Sequence, residues 1–245
     1  DRRYGVRDYG SAVMYLPGKI LYLGGGTVPT NTAEVIDLTQ ANPQWTYTGS
    51  MAYPRWNQNA TLLPTGDVLV TGGTSLPDRS LPAGAVNVAE LWSPATGQWT
   101  QLASSAPLLR GYHSTSLLLP DGRVLHAGGG DGGGAPSNFN YELYSPPYLF
   151  RGDRPVVTGS TPNVAGYGQT LDVETPDGPA IAKVTMIRLG SVTHAFDADQ
   201  RANTLSFSRG SGLVKVTTPS TSRRAPPGSG WAGTATSSPT WSCPA

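Results

Sequence analysis

One pattern, written three times, constrains the fold of this chain more than anything else in it. Tyr9–Gly25 (YGSAVMYLPGKILYLGG), Trp56–Gly73 (WNQNATLLPTGDVLVTGG) and Tyr112–Gly129 (YHSTSLLLPDGRVLHAGG) share one plan. Each has an apolar-rich run, a Pro-Gly or Pro-x-Gly turn, a second apolar run and a Gly-Gly pair. Turn residues between two short apolar runs predict a β-hairpin. Glycines at its end permit positive φ and close backbone approach. A third β-like run follows each hairpin: Ala33–Leu38 (AEVIDL), Ala89–Pro94 (AELWSP) and Tyr141–Pro146 (YELYSP). The first two copies add a further run carrying Trp45 or Trp99. Long helices are excluded by 31 Gly and 22 Pro, which cost about 1 and 3 kcal/mol respectively in a helix interior. The chain therefore reads as all-β.

Four short strands recurring every 40–50 residues or so describe a β-propeller blade. The Gly-Gly and Trp spacing resembles a kelch repeat. The reading is thus a partial kelch-type propeller of about three blades over residues 1–150, fewer than the 4–8 that closure needs. After a short basic linker at Tyr148–Arg154 the pattern changes. Runs at Pro155–Gly159, Gln169–Thr175, Ala182–Leu189, Thr204–Ser208 and Leu213–Thr218 are separated by turn residues. That spacing predicts a β-sandwich over 154–228. Residues 229–245, rich in Ser, Thr, Gly and Pro, read as an irregular tail.

Charge gives no pointer to nucleic acid or to an acidic membrane: 17 Lys and Arg balance 16 Asp and Glu. No apolar run is long enough to span a bilayer. The N-terminus is no signal peptide and carries no initiator Met, so the chain is expected to be processed or cut from a longer one. The single cysteine, Cys243, excludes an intrachain disulfide and any Cys/His zinc spacing. The glycine run Gly128–Gly134 lacks the context of a phosphate loop, and no nucleotide cofactor is expected.

Histidine is scarce, at three residues. His113 follows Tyr112 at the start of the third hairpin, where the repeat alignment puts Gly10 and Asn57. His194 lies between two strands of the sandwich, in Ser191–Phe196 (SVTHAF). His126 falls inside an apolar strand and reads as structural. Arg55 and Arg110 precede the channel positions; they suit a polyol, an inter-blade salt bridge or a solvated side chain.

At Tyr112-His113-Ser114, Leu118–Val124, Gly128–Gly130, Tyr144–Leu149, Ile187–Ala195 and Asp199–Arg201 the chain resembles the galactose oxidase/glyoxal oxidase family of copper radical oxidases. The resemblance runs from about residue 7 to Gly228. It implies a kelch propeller followed by an immunoglobulin-like early-set sandwich, one hairpin of which delivers a ligand to the propeller's channel. It also implies a single copper ion, with Tyr112 as axial and catalytic tyrosine and His113 and His194 as the two histidine ligands. Imidazole and phenolate are donors that suit Cu(II).

The family's activity is oxidation of a primary alcohol or aldehyde with O2, giving H2O2. Small alcohols, aldehydes or carbohydrates are the implied substrates, with a monomeric, secreted protein as the setting. The family's cross-linked Cys–Tyr pair has no counterpart here, since Cys243 is in the tail. The expectation is a C-terminal part of such an oxidase, inactive by itself. The alternative is a non-catalytic kelch-plus-sandwich module that binds carbohydrate or protein. The match also stops abruptly after Ala225–Gly228, as an altered reading frame would produce.

Overall fold

Alternation of inward and outward residues sets the first strands. In β1 (Ser11–Leu16) Ser11, Val13 and Tyr15 are buried, while Ala12, Met14 and Leu16 are not. β2 (Lys19–Leu23) pairs antiparallel with β1 across the Pro17-Gly18 turn and buries Leu21 and Leu23. β3 (Ala33–Asp37) and β4 (Thr46–Tyr47) complete a four-stranded antiparallel sheet in the order of the chain. The second copy builds the same sheet from β5 (Asn59–Leu62), β6 (Val68–Thr71), β7 (Val88–Trp92) and β8 (Trp99–Ser104). The third has three strands, β9 (Ser114–Leu118), β10 (Val124–Gly128) and β11 (Tyr141–Tyr144). This computed structural model describes residues 1–78, 80–104, 107–130 and 134–220. Among them there is no α-helix, only three short 3-10 turns at Pro82–Gly84, Pro147–Phe150 and Gly178–Ala180.

Each copy is tied together by one arginine. Arg7 Nε donates to Glu34 Oε2 at 2.9 Å, and its Nη1 donates to the Gly24 carbonyl at 2.9 Å. Arg55 repeats this with Glu90 Oε2 at 2.6 Å and the Gly72 carbonyl at 2.8 Å. Arg110 does so again with Glu142 Oε2 at 3.2 Å and the Gly128 carbonyl at 3.0 Å. The guanidinium thus joins the entry to the first strand, the end of the second and a glutamate at the second or third residue of the third. Both Arg55 and Arg110 are buried and each pairs within its own copy, so neither the inter-blade bridge nor the solvated side chain expected from the sequence is what the structure shows. The signal was present in the sequence, as the Glu shared by AEVIDL, AELWSP and YELYSP.

One detail of the repeat register differs. Tyr9, Asn57 and His113 all have left-handed backbone, with φ of 57°, 54° and 62°. They are therefore the equivalent positions, and Tyr9 stands where Gly10 was expected. The first copy has one more residue between that position and its proline. A register shift between Met14 and Leu16 absorbs it, as a bulge does.

The chain falls into two compact units. The first comprises Asp1–Pro146 together with Arg188–Ala202; the second is Pro147–Ile187 together with Asn203 onward. In the second unit β12 (Gly159–Thr161), β13 (Thr170–Glu174), β19 (Leu213–Thr217) and β18 (Ser206–Arg209) form one sheet, in the order β12-β13-β19-β18. β14 (Thr185–Ile187) pairs with β17 (Ala202–Thr204). Val173, Ile181, Val184, Leu205, Val214 and Val216 form its core, with Leu171, Met186 and Phe207 packed against it.

Candidate metal centre

Tyr112 and His113 sit in the turn that leads into β9. Ser114 N donates to the Gly111 carbonyl at 3.0 Å, which closes the turn. Gly130 N donates to the Tyr112 carbonyl at 3.0 Å, which ties it to the end of the second hairpin strand. Gly130 has φ of 101°, a conformation that side chains disfavour, and this is what the third glycine of the run provides. Below the turn Ser114 is buried, and its hydroxyl accepts a hydrogen bond from Asn59 Nδ2 at 2.7 Å.

His194 is carried by a separate hairpin of the first unit, β15 (Val192–Thr193) and β16 (Phe196–Asp197). Thr193 pairs with Phe196, so the turn consists of His194 and Ala195 alone. Both are left-handed, with φ of 54° and 60°. A two-residue turn with both residues at positive φ is the type that matches strand twist, and it ordinarily recruits Asn and Gly. The hairpin is anchored to the sheets of the first two copies. Gln200 grips β5: its Oε1 accepts from Leu62 N and its Nε2 donates to the Ala60 carbonyl, each at 2.7 Å. Ser11 Oγ donates to the buried Ala195 carbonyl at 3.4 Å, and Arg201 bridges to Met14. Asp197 Oδ1 collects the backbone N–H groups of Ser191, Asp199 and Gln200 at 3.0–3.2 Å.

These two turns bring the three residues together. Ring centroids are 3.9 Å apart for Tyr112 and His113, 4.9 Å for His113 and His194, and 5.7 Å for Tyr112 and His194. Both imidazoles are exposed and Tyr112 is half-buried. Thr193 Oγ1 lies 2.7 Å from His194 Nδ1, so His194 Nε2 is the ring nitrogen left for another partner. Two imidazoles and a phenol whose ring centroids all lie within 5.7 Å of one another are a donor set that fits a copper ion. Among the described residues no three His, Cys, Asp or Glu side chains form a metal-ligating cluster; the third ring of this group is a phenol.

His126 takes no part. It lies in β10, 3% exposed, against Gly72, and its Nε2 has no hydrogen-bond partner among the described residues. Burial, with Arg110 and Arg55 adding to it, lowers its pKa to about 3, so the ring is neutral. Cys243 lies outside the described residues. Sequence reasoning missed Thr193, Gln200 and Ser11, because an adjacent hydroxyl and two contacts distant along the chain leave no spacing signal.

Comparison with known proteins agrees with this geometry. Residues 154–235 match the galactose oxidase-like early set domain. A galactose oxidase of Gibberella zeae is 31% identical over 222 residues, which is 83% of this chain and 32% of that protein. The aldehyde oxidase GLOX of Vitis pseudoreticulata is 31% identical over 73% of this chain and 35% of its own length. The chain is a relative of the galactose oxidases and glyoxal oxidases. A fungal alcohol oxidase of the AA5 family, solved in complex with copper, superimposes with a TM-score of 0.77 at 28% identity. That match covers 87% of this chain and 48% of the other. The chain spans about a third of the length of these curated relatives. No helix among the described residues is long and apolar enough to cross a membrane.

Proposed function

We propose that Tyr112, His113 and His194 hold one copper ion, and that the chain is the C-terminal part of a galactose/glyoxal oxidase-like copper radical oxidase. The convergence of these three rings from two distant stretches of chain carries the reading. Residues 1–150 are then about three blades of a kelch propeller, 154–228 an early-set sandwich and 229–245 an irregular tail. The reaction is two-electron oxidation of a primary alcohol or aldehyde, with O2 reduced to H2O2. The substrate is a small alcohol, aldehyde or carbohydrate, and the protein is secreted and monomeric, with no nucleic acid or membrane partner.

Copper, when bound, accepts one electron of each pair. The histidines supply neutral nitrogen donors, held on left-handed turns that the rest of the fold immobilises. Tyr112 supplies an oxygen donor, and its phenol is also a place to hold or release a proton beside the substrate. A second one-electron acceptor is needed, and the family draws it from a Cys-linked tyrosine. This sequence has one cysteine, Cys243, fifteen positions beyond Gly228 in the tail and outside the described residues, and no Cys among residues 1–220.

On this reading the chain alone binds copper and does not turn over. The test is H2O2 release from copper-loaded protein with galactose or glyoxal, alongside His113→Ala and His194→Ala. Release at the level of free copper is expected. Release well above it, abolished by either substitution, would overturn the inactivity. The exposure of both imidazoles favours a second reading for this chain by itself, a non-catalytic module that binds carbohydrate or protein. Saturable carbohydrate binding that is indifferent to copper would support that one.

A further inference from the structure

Among the described residues five other than glycine have left-handed backbone: Tyr9, Asn57, His113, His194 and Ala195. The first three are one per blade, at the entry to the first strand, so that conformation belongs to the blade plan. The other two are consecutive, and no repeat explains them. Left-handed backbone costs a residue with a Cβ roughly 1–2 kcal/mol, and such strain persists only where the surroundings over-determine it. The surroundings here do so: Ala195 is 3% exposed, its carbonyl accepts from Ser11, and Gln200 fastens the returning strand to β5. The turn therefore fixes the backbone from which His194 projects. The Thr193 hydroxyl meets the Nδ1 of its ring at 2.7 Å.

We propose that Thr193 is a positioning residue that fixes the tautomer of His194, with Nδ1–H donating to Thr193 Oγ1 and the lone pair on Nε2 facing Tyr112 and His113. The inference rests on the copper reading for its purpose, but the tautomer itself does not depend on metal. A neutral imidazole has one N–H and one acceptor, and the partner of one nitrogen decides the state of the other. With Nδ1 engaged by the hydroxyl, Nε2 is the nitrogen able to bind a cation. It can do so only if the proton resides on Nδ1. Had the hydroxyl donated instead, Nε2 would carry the proton and the site would lose a ligand. Hydrogen-bonding partners of this kind orient metal-bound histidines and raise their basicity.

The experiment uses the full chain in two states. In metal-free protein above pH 8, where imidazoles are ordinarily neutral, nitrogen NMR reads the tautomer of His194. Wild type should show a protonated Nδ1, Thr193→Ser should keep it, and Thr193→Val should move the proton to Nε2. In Cu(II) titrations by competition, Thr193→Val should bind about tenfold or more weakly, with Thr193→Ser close to wild type. A wild-type His194 protonated on Nε2, or a Thr193→Val protein unchanged in tautomer, would overturn the proposal. Copper affinity that ignores both His113→Ala and His194→Ala, with the tautomer as expected, would instead overturn the copper reading alone.

Discussion

The sheets of the second and third copies follow one plan and meet different surroundings. In the second, β5 and β6 are buried at every position, because β5 packs between β1 and β9. Arg55 and Glu90 are wholly buried, and Asn57 at the left-handed position is 3% exposed. In the third, β11 alternates between exposed and half-buried residues and Glu142 is 28% exposed. The left-handed position there is His113, open to solvent. The same backbone device thus ends on a buried amide in one blade and on an accessible imidazole in the next. Position within the repeat sets the geometry, and burial decides whether that position is structural or available for chemistry.

The sharpest way to break this comparison is through the ion pairs. Glu90→Ala leaves Arg55 charged, buried and unpaired, and should cost about 3–5 kcal/mol. Glu142→Ala also takes a carboxylate from a buried guanidinium, but water reaches that carboxylate and Asn140 Oδ1 still accepts from Arg110, so the loss should be smaller, about 1–3 kcal/mol. Urea denaturation of both variants reads the difference, and equal losses would contradict the burial argument.

His126 gives a smaller effect and a sign. Its pKa in the folded state is lowered to about 3, below the ordinary value near 6.5. Between those values the unfolded chain binds more protons, so stability rises with pH through that window and falls on acidification. Below pH 6.5 this one group should contribute a loss on the order of 1 kcal/mol per pH unit. Comparing the denaturation midpoint with that of His126→Leu from pH 7 to pH 4 isolates it: the substitution should flatten the slope. Parallel slopes would mean that the ring titrates normally.

The smallest effect concerns the turn. Ala195→Gly removes a Cβ from a left-handed position and should leave stability unchanged or raise it by up to about 1 kcal/mol. A loss of more than that in a thermal melt would show that packing of the Ala195 methyl, rather than strain, governs the turn.

Much of this was legible in the sequence, for identifiable reasons. The threefold hairpin declared itself because Pro-Gly turns and Gly-Gly ends are local chemistry. His113 and His194 stood out because histidine is rare here and the flanking residues match a known family. The register of the first blade was misread by one residue, since a bulge at Met14–Leu16 leaves no composition mark. The grip of Gln200 on β5 was invisible, because it joins residues far apart through an amide that any loop carries. The Arg–Glu anchors lay between these extremes: both partners recur in every copy, but only the fold shows that they meet.

Copper binding tests the central claim most directly. Cu(II) titrated into the full chain by competition with a chelator, with electron paramagnetic resonance on the product, should give one site per chain with nitrogen coupling. His113→Ala and His194→Ala should each weaken it by about tenfold or more, while His126→Leu should leave it unchanged. Binding that survives loss of both His113 and His194, or that fails with His126, would contradict the assignment of the site.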